Sequence, residues 1–192
     1  MAREAVTGLE PFLRRLATAL DTAGVPFMIA GSFASTAHGV PRTTQDIDVV
    51  IDPPDPERFL ALLAAFPPER YYLDHDAALD ALRRRSMFNL IDQASGWKAD
   101  FIFRKNRRFS REEFARRIGM TVLGVPVFVA SPEDTIVAKL EWSAMSGGSE
   151  RQRRDVAGIV ATLGAALDRA YIGRWIADLG VEVEWEQALK TP

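Results

Sequence analysis

The chain has 192 residues, 47% hydrophobic and 26% charged, with a formal net charge of −2. This is the composition of a globular protein, one domain or one domain with a small helical annex, and not of a disordered chain. The absence of cysteine and the presence of only two histidines, His38 and His75, exclude disulfides, thiolate metal sites, cysteine nucleophiles and a three-histidine zinc site.

Leu9, Phe12, Leu13, Leu16 and Leu20 recur at helical spacing, which predicts a first helix to about Thr22, ended by Gly24. Pro26–Ala30 reads as a short buried strand. Gly31-Ser32 follows, then a short helix over Phe33–His38 that stops at Gly39 and Pro41. Asp46–Ile51 reads as the second strand. Asp55 caps a helix with Pro56 at its first position and Phe59, Leu60 and Leu63 on its buried face. Residues 71–82 give no clear pattern. Ser86–Ile91 and Lys98–Phe103 read as a hairpin. Ser110 and Glu113 form a capping box for a helix to about Ile118. Thr121–Val129 is strand-like, broken at Gly124 and Pro126. Ser131-Pro132 opens a long helix with Ile136, Val137 and Leu140 as its stripe, and more helices follow a Gly–Ser break at 145–149. Trp142, Trp175 and Trp185 are expected in the core. The order gives an α/β (α+β) core over 1–130 and a helical C-terminal segment over 131–192, packed as two parts or as one unit.

No apolar run approaches the roughly 18 residues of a spanning helix, and the N-terminal segment has no apolar signal-like region, so a cytoplasmic protein without membrane association is expected. Charge is unevenly placed. Residues 82–119 carry eleven basic residues against four acidic ones, between two acidic flanks. Such a segment suits an anion such as phosphate or RNA, and equally suits arginines coating solvent-facing helices.

The most informative stretch is Ala30-Gly31-Ser32 followed by Arg42-Thr43-Thr44-Gln45-Asp46-Ile47-Asp48. Asp46 and Asp48, two apart on a strand, share one face with about 6.6 Å between their Cα atoms. Ile47, Val49 and Ile51 point the other way. Two carboxylates on one face repel unless a cation joins them, and Mg²⁺ is held by one or two carboxylates with phosphates and water. A solvated strand end is the plainer reading of that pair alone. Gly31-Ser32, after a strand and opening a helix, can hold phosphate oxygens through backbone N–H groups and the hydroxyl, or can be an ordinary capped turn.

A Gly-Ser turn, a short helix and Asp-x-Asp on the next strand together resemble the nucleotidyltransferase superfamily with the polymerase-β-like core. The string Ala37-His38-Gly39-Val40-Pro41-Arg42-Thr43-Thr44-Gln45-Asp46-Ile47-Asp48 is similar to its bacterial minimal and AbiEii-like branches. So, more loosely, is Ser131-Pro132-Glu133-Asp134 with Lys139-Leu140-Glu141 and Arg153-Arg154-Asp155. The resemblance spans roughly residues 9–165. It implies a mixed sheet flanked by helices, and transfer of a nucleoside monophosphate from an NTP to a hydroxyl with Mg²⁺ or Mn²⁺. It implies Asp46, Asp48 and Asp100 as metal-holding carboxylates, Asp100 opening the apolar strand Lys98–Phe103. Without a metal, Asp100 would pair with Lys98 or an arginine. Gly31, Ser32 and Arg42 are implied at the triphosphate, with Lys139 and Asp155 at the active site or as a surface ion pair. The acceptor classes implied are an RNA end, a protein side chain or a small molecule, with a toxin–antitoxin protein partner. The alternative is a catalytically silent, antitoxin-type binding partner. The roughly 60 residues beyond the core argue against the short antitoxin-type members. Gln45 departs from the small or acidic residue common before the first aspartate.

Overall fold

The structure, a computed structural model, describes residues 8–40, 44 and 46–191. Arg42 lies outside the described residues. Along the chain run α1 (Leu9–Ala23), β1 (Phe27–Ile29), α2 (Gly31–His38), β2 (Asp46–Ile51), α3 (Pro56–Ala64), β3 (Tyr71–Leu73) and α4 (His75–Arg84). They are followed by β4 (Met87–Asp92), β5 (Lys98–Phe103), α5 (Arg108–Ala115), β6 (Ile118–Val122), β7 (Val125–Val129), α6 (Pro132–Met145), α7 (Glu150–Leu163), α8 (Arg169–Leu179) and α9 (Glu182–Leu189). The expected α/β class, a mixed sheet with helices, is what the chain forms.

The chain divides into two compact units. One comprises Met1–Ile29 and Gln45–Val129, the other Ala30–Thr44 and Ala130–Pro192. The expected contiguous division at residue 131 differs from this in one segment. Residues 30–44 group with the C-terminal helices, because α2 lies against α6 and α7.

The first unit is built on a seven-stranded sheet in the order β3-β4-β5-β2-β1-β7-β6. β2 is parallel to β5 and β1 to β7; the other pairs are antiparallel. Alternation sets the two faces. Ile47, Val49 and Ile51 of β2 stand opposite Ala99, Phe101 and Phe103 of β5, all fully buried. Phe59, Phe66, Phe88, Phe101 and Phe103 interlock there, ring centroids 5.0–6.2 Å apart. Phe12, Leu13, Leu16 and Leu20 of α1 are buried as the periodicity predicts.

Several expectations need correction. The buried stripe of α3 is Phe59, Leu62 and Leu63, with Leu60 half exposed, since positions 59, 62, 63 and 66 share one helical face. Residues 71–84 form the edge strand β3 and the helix α4, capped by the Asp74 carboxylate. Helix α5 begins at Arg108, not at a Ser110 cap. Ser110 lies on the buried face beside Phe109 and accepts from Arg107 Nε at 3.0 Å. The helix ends at Ala115 because Ile118 already starts β6. Residues 118–129 are two strands joined at Leu123-Gly124.

In the second unit Ser131 caps α6, with Pro132 in the first turn, as expected. The Tyr171 hydroxyl and Ser131 Oγ both donate to the buried Asp134 carboxylate. Ile136, Leu140, Val156, Ile159, Ile172, Ile176 and Val181 form the helical core. Trp175 belongs to the buried set and Trp185 is partly buried, but Trp142 is 59% exposed, out of phase with the stripe of Ile136, Val137, Leu140 and Ser143. At Gly39 a Cβ would stand 3.0 Å from the backbone nitrogen of Ile159, so a side chain there would crowd the close approach of the end of α2 to α7.

Asp92, at the end of β4, is completely buried and pairs with Arg15 and, at 3.4 Å, with Arg70; its Oδ1 accepts the Ala94 N–H at 3.1 Å. Arg15 also donates to the Tyr71 hydroxyl at 2.8 Å. Removing the carboxylate leaves two arginines without a counter-charge at a half-buried site. Asp92→Ala is therefore expected to lower unfolding free energy by about 3 kcal/mol in urea denaturation, with Asp92→Asn in between.

Candidate active site

Parallel pairing of β2 with β5 places Asp46 opposite Lys98 and Asp48 opposite Asp100. These four positions share the face turned away from the phenylalanine core, because each alternates with a buried apolar residue on its own strand. Neighbouring strands lie about 4.8 Å apart, so Asp48 and Asp100 are side by side. Asp46 is exposed, Asp48 half-buried and Asp100 buried. The face thus grades from wet to dry over three carboxylates.

Lys98 is the cation that the strand register brings to this face. Its Nζ stands 3.0 Å from Asp100 Oδ1. At that distance the two form an ion pair. The Asp100 carboxylate, joined by the charges of Asp46 and Asp48, holds the ammonium above the usual lysine range, against the opposing effect of burial.

The opposite ends of the same two strands are different. Asp52, just past β2, is gripped by Arg85 Nη2 at 2.8 Å and Arg104 Nε at 2.7 Å, and Arg85 also donates to the Arg104 carbonyl. One carboxylate there meets two arginines, a closed structural clamp. At the starts of the strands Lys98 shares one face with Asp46, Asp48 and Asp100.

Among the described residues no three His, Cys, Asp or Glu side chains are gathered as a ready-made metal cage. The donor set still suits a hard cation. Mg²⁺ needs only one or two protein carboxylates when phosphates and water complete its shell, and Asp48 and Asp100 lie in register on neighbouring strands.

The remaining candidates lie in the second unit. Gly31 and Ser32 form the first turn of α2, where Gly31 has φ +58°, a conformation L side chains resist. Lys139 and Asp155 are joined, Nζ to Oδ2 at 2.7 Å, with side chains only 6% and 8% exposed. The pair is therefore buried and not on the surface. Gln152 Oε1 accepts from Lys139 at 2.9 Å. The Ser35 hydroxyl has three acceptors in reach: Asp155 Oδ2 at 3.3 Å and the carbonyls of Ser32 and Gly31 at 3.0 and 3.2 Å. Arg151 Nη2 reaches Ser32 Oγ at 3.4 Å. Ser35 and Gln152 were not singled out by sequence, though Ser35 lies one turn after Gly31 and Gln152 three before Asp155. His38 Nε2 lies 2.7 Å from the Ala130 carbonyl, a backbone contact. Ser35 and Asp155 also border a cavity of about 370 Å³ with Val40 and Gly158.

No protein-family model matches the chain, and no curated protein matches it significantly in sequence. Its fold does have solved neighbours. The solution structure of the antibiotic-resistance factor ANT(2'')-Ia superposes with a TM-score of 0.59 at 14% identity, over 92% of this chain and 94% of that one. The crystal structure of ANT(2'')-Ia in complex with adenylyl-2''-tobramycin gives 0.57 at 16%, over 88% and 97%. An antigenic nucleotidyltransferase-like protein from Paracoccidioides brasiliensis gives 0.52 at 17%, over 94% and 91%. The chain thus has a nucleotidyltransferase-like fold.

A buried ion pair is costly to break from one side and cheap to replace whole. Lys139→Met and Asp155→Leu are each expected to destabilise by about 3 kcal/mol. The double variant should recover most of that loss, and a double-mutant cycle in urea denaturation measures the coupling.

Proposed function

We propose that this chain is a metal-dependent nucleotidyltransferase that moves a nucleoside monophosphate from an NTP to a hydroxyl acceptor. The observation that carries the reading is the in-register pair Asp48 and Asp100, with Asp46 on the same face, in a nucleotidyltransferase-like fold. The ANT(2'')-Ia complex, which holds adenylyl-2''-tobramycin, makes an adenylylated small molecule one product class to test here, beside RNA ends and protein hydroxyls.

In the proposed step the acceptor oxygen forms a bond to the α-phosphorus, the α–β phosphoanhydride bond breaks, and pyrophosphate leaves. Asp46, Asp48 and Asp100 would hold Mg²⁺ or Mn²⁺, which when bound neutralises the triphosphate and the leaving group. Asp100, the most buried of the three carboxylates, is the group assigned to accept the acceptor's proton. Gly31, Ser32 and Arg42 are assigned to the phosphates. Lys139 and Asp155 are assigned a positioning part, since their pair reaches α2 through Ser35. Most of the rate enhancement would come from placement and charge neutralisation.

A second reading has one observation on its side. Lys98 stands at Asp100 where a divalent ion would be needed, as a catalytically silent, antitoxin-type partner would allow.

The deciding assay uses NTPs labelled at the α-phosphate, Mg²⁺ and a cell extract. The expected result is label in RNA, protein or small molecules, abolished by EDTA. Asp46→Asn, Asp48→Asn and Asp100→Asn should each lower the rate by at least ~100-fold while circular dichroism stays unchanged. NTP binding without any transfer in such an extract would favour the silent partner.

A further inference from the structure

Helices α2 and α7 run side by side in the same direction, and three contacts fix their register. Arg151 Nη2 reaches Ser32 Oγ, the Ser35 hydroxyl reaches Asp155 Oδ2, and Gly39 lies against Ile159. Each step is about one turn along both helices. The close approach at Gly39 and the buried Lys139–Asp155 pair hold this alignment. Helix register therefore delivers Arg151 to the first turn of α2. The neighbouring arginines are used elsewhere within the helical unit. Arg154 pairs with Glu150, and Arg153 donates to Gln187 Oε1 at 2.9 Å. Arg151 differs from both. It is exposed, and among the described residues no carboxylate pairs with it. Its side-chain partner is the neutral Ser32 hydroxyl, at 3.4 Å. A guanidinium offers a rigid fork of donors that matches two phosphate oxygens at once.

We propose that Arg151 is a phosphate-binding residue that holds the pyrophosphate end of the triphosphate beside Ser32. This rests on the nucleotidyltransferase reading above and deepens it by naming a cation for the leaving group. The α-phosphorus is the reacting atom and belongs to the metal-holding carboxylates, which leaves the β- and γ-phosphates for the Ser32 turn. Two adjacent phosphates present oxygens to both arms of the fork, as a single α-phosphate engaged in the reaction does not. When the α–β bond breaks, negative charge grows on the departing pyrophosphate. A guanidinium already fixed there by helix register stabilises that charge without reorganising.

The test is isothermal titration calorimetry of inorganic pyrophosphate into the full chain with Mg²⁺, with AMP as the monophosphate control. Arg151→Gln is expected to weaken pyrophosphate binding about tenfold and to leave AMP binding within about twofold of wild type. Arg151→Lys, which keeps the charge and loses the fork, should bind pyrophosphate with intermediate strength. Because the side chain is exposed, both variants should melt as wild type does. Pyrophosphate binding unchanged in Arg151→Gln would overturn the proposal and leave Arg151 a surface charge. An equal loss of pyrophosphate and AMP binding with a lower melting temperature would also overturn it, since that is the mark of a structural role. If wild type binds neither pyrophosphate nor ATP, the nucleotidyltransferase reading fails, and this proposal with it. If wild type binds pyrophosphate and transfers label, and Arg151→Gln matches it in both, the nucleotidyltransferase reading stands alone.

Discussion

Like charges on neighbouring strands repel, and β2 and β5 place Asp48 beside Asp100 in register, with Asp46 on the same face. The opposite face of these strands is among the best packed parts of the protein: Ile47, Val49, Ile51, Ala99, Phe101 and Phe103 are all fully buried. A shift of one residue in register would bury the aspartates and expose the isoleucines. The apolar face therefore holds the acidic face in a geometry that electrostatics alone would not choose. Lys98, paired with Asp100, relieves part of that repulsion.

The two ends of the β2–β5 pair show how local charge balance separates structure from chemistry. Asp52 with Arg85 and Arg104 is over-compensated and knits the strand ends to the loops that follow. At the other end Lys98 shares one face with Asp46, Asp48 and Asp100. In the helical unit the Lys139–Asp155 pair is nearly dry and ties α6 to α7. A cluster of graded exposure is the kind of arrangement that receives a charged ligand.

The carboxylate face was legible in sequence because period two is simple to read. Asp46 and Asp48 alternate with Ile47 and Val49, and Asp100 alternates with Ala99 and Phe101. Which strand lies beside which is not a local property, so the pairing of Asp48 with Asp100 needed the fold. Residues 71–82 were illegible because β3 is only three residues long and pairs with β4 across an intervening helix. Ser110 misled because a serine three before a glutamate looks alike whether it caps a helix or sits on its buried face. Trp142 misled because bulk alone suggests burial, while helical phase puts it outside. For Lys139 and Asp155 a surface ion pair was the plain alternative. Their burial follows from helix packing, which spacing of 16 residues does not reveal.

The position of β1 in the sheet has a consequence for how the chain is made. This apolar three-residue strand ends up between β2 and β7, both synthesised after it. Its parallel partner is a hundred residues further on, Ile29 against Val129. At ribosomal speed that is a wait of about 5–20 s. The helical unit is also assembled from separated stretches, 30–44 and 130–192. Neither unit can close until most of the polypeptide has emerged, so contact order makes the protein a late folder. A nascent chain halted near residue 110 would already carry Asp46, Asp48 and Asp100, yet lack the strands that complete the sheet around them.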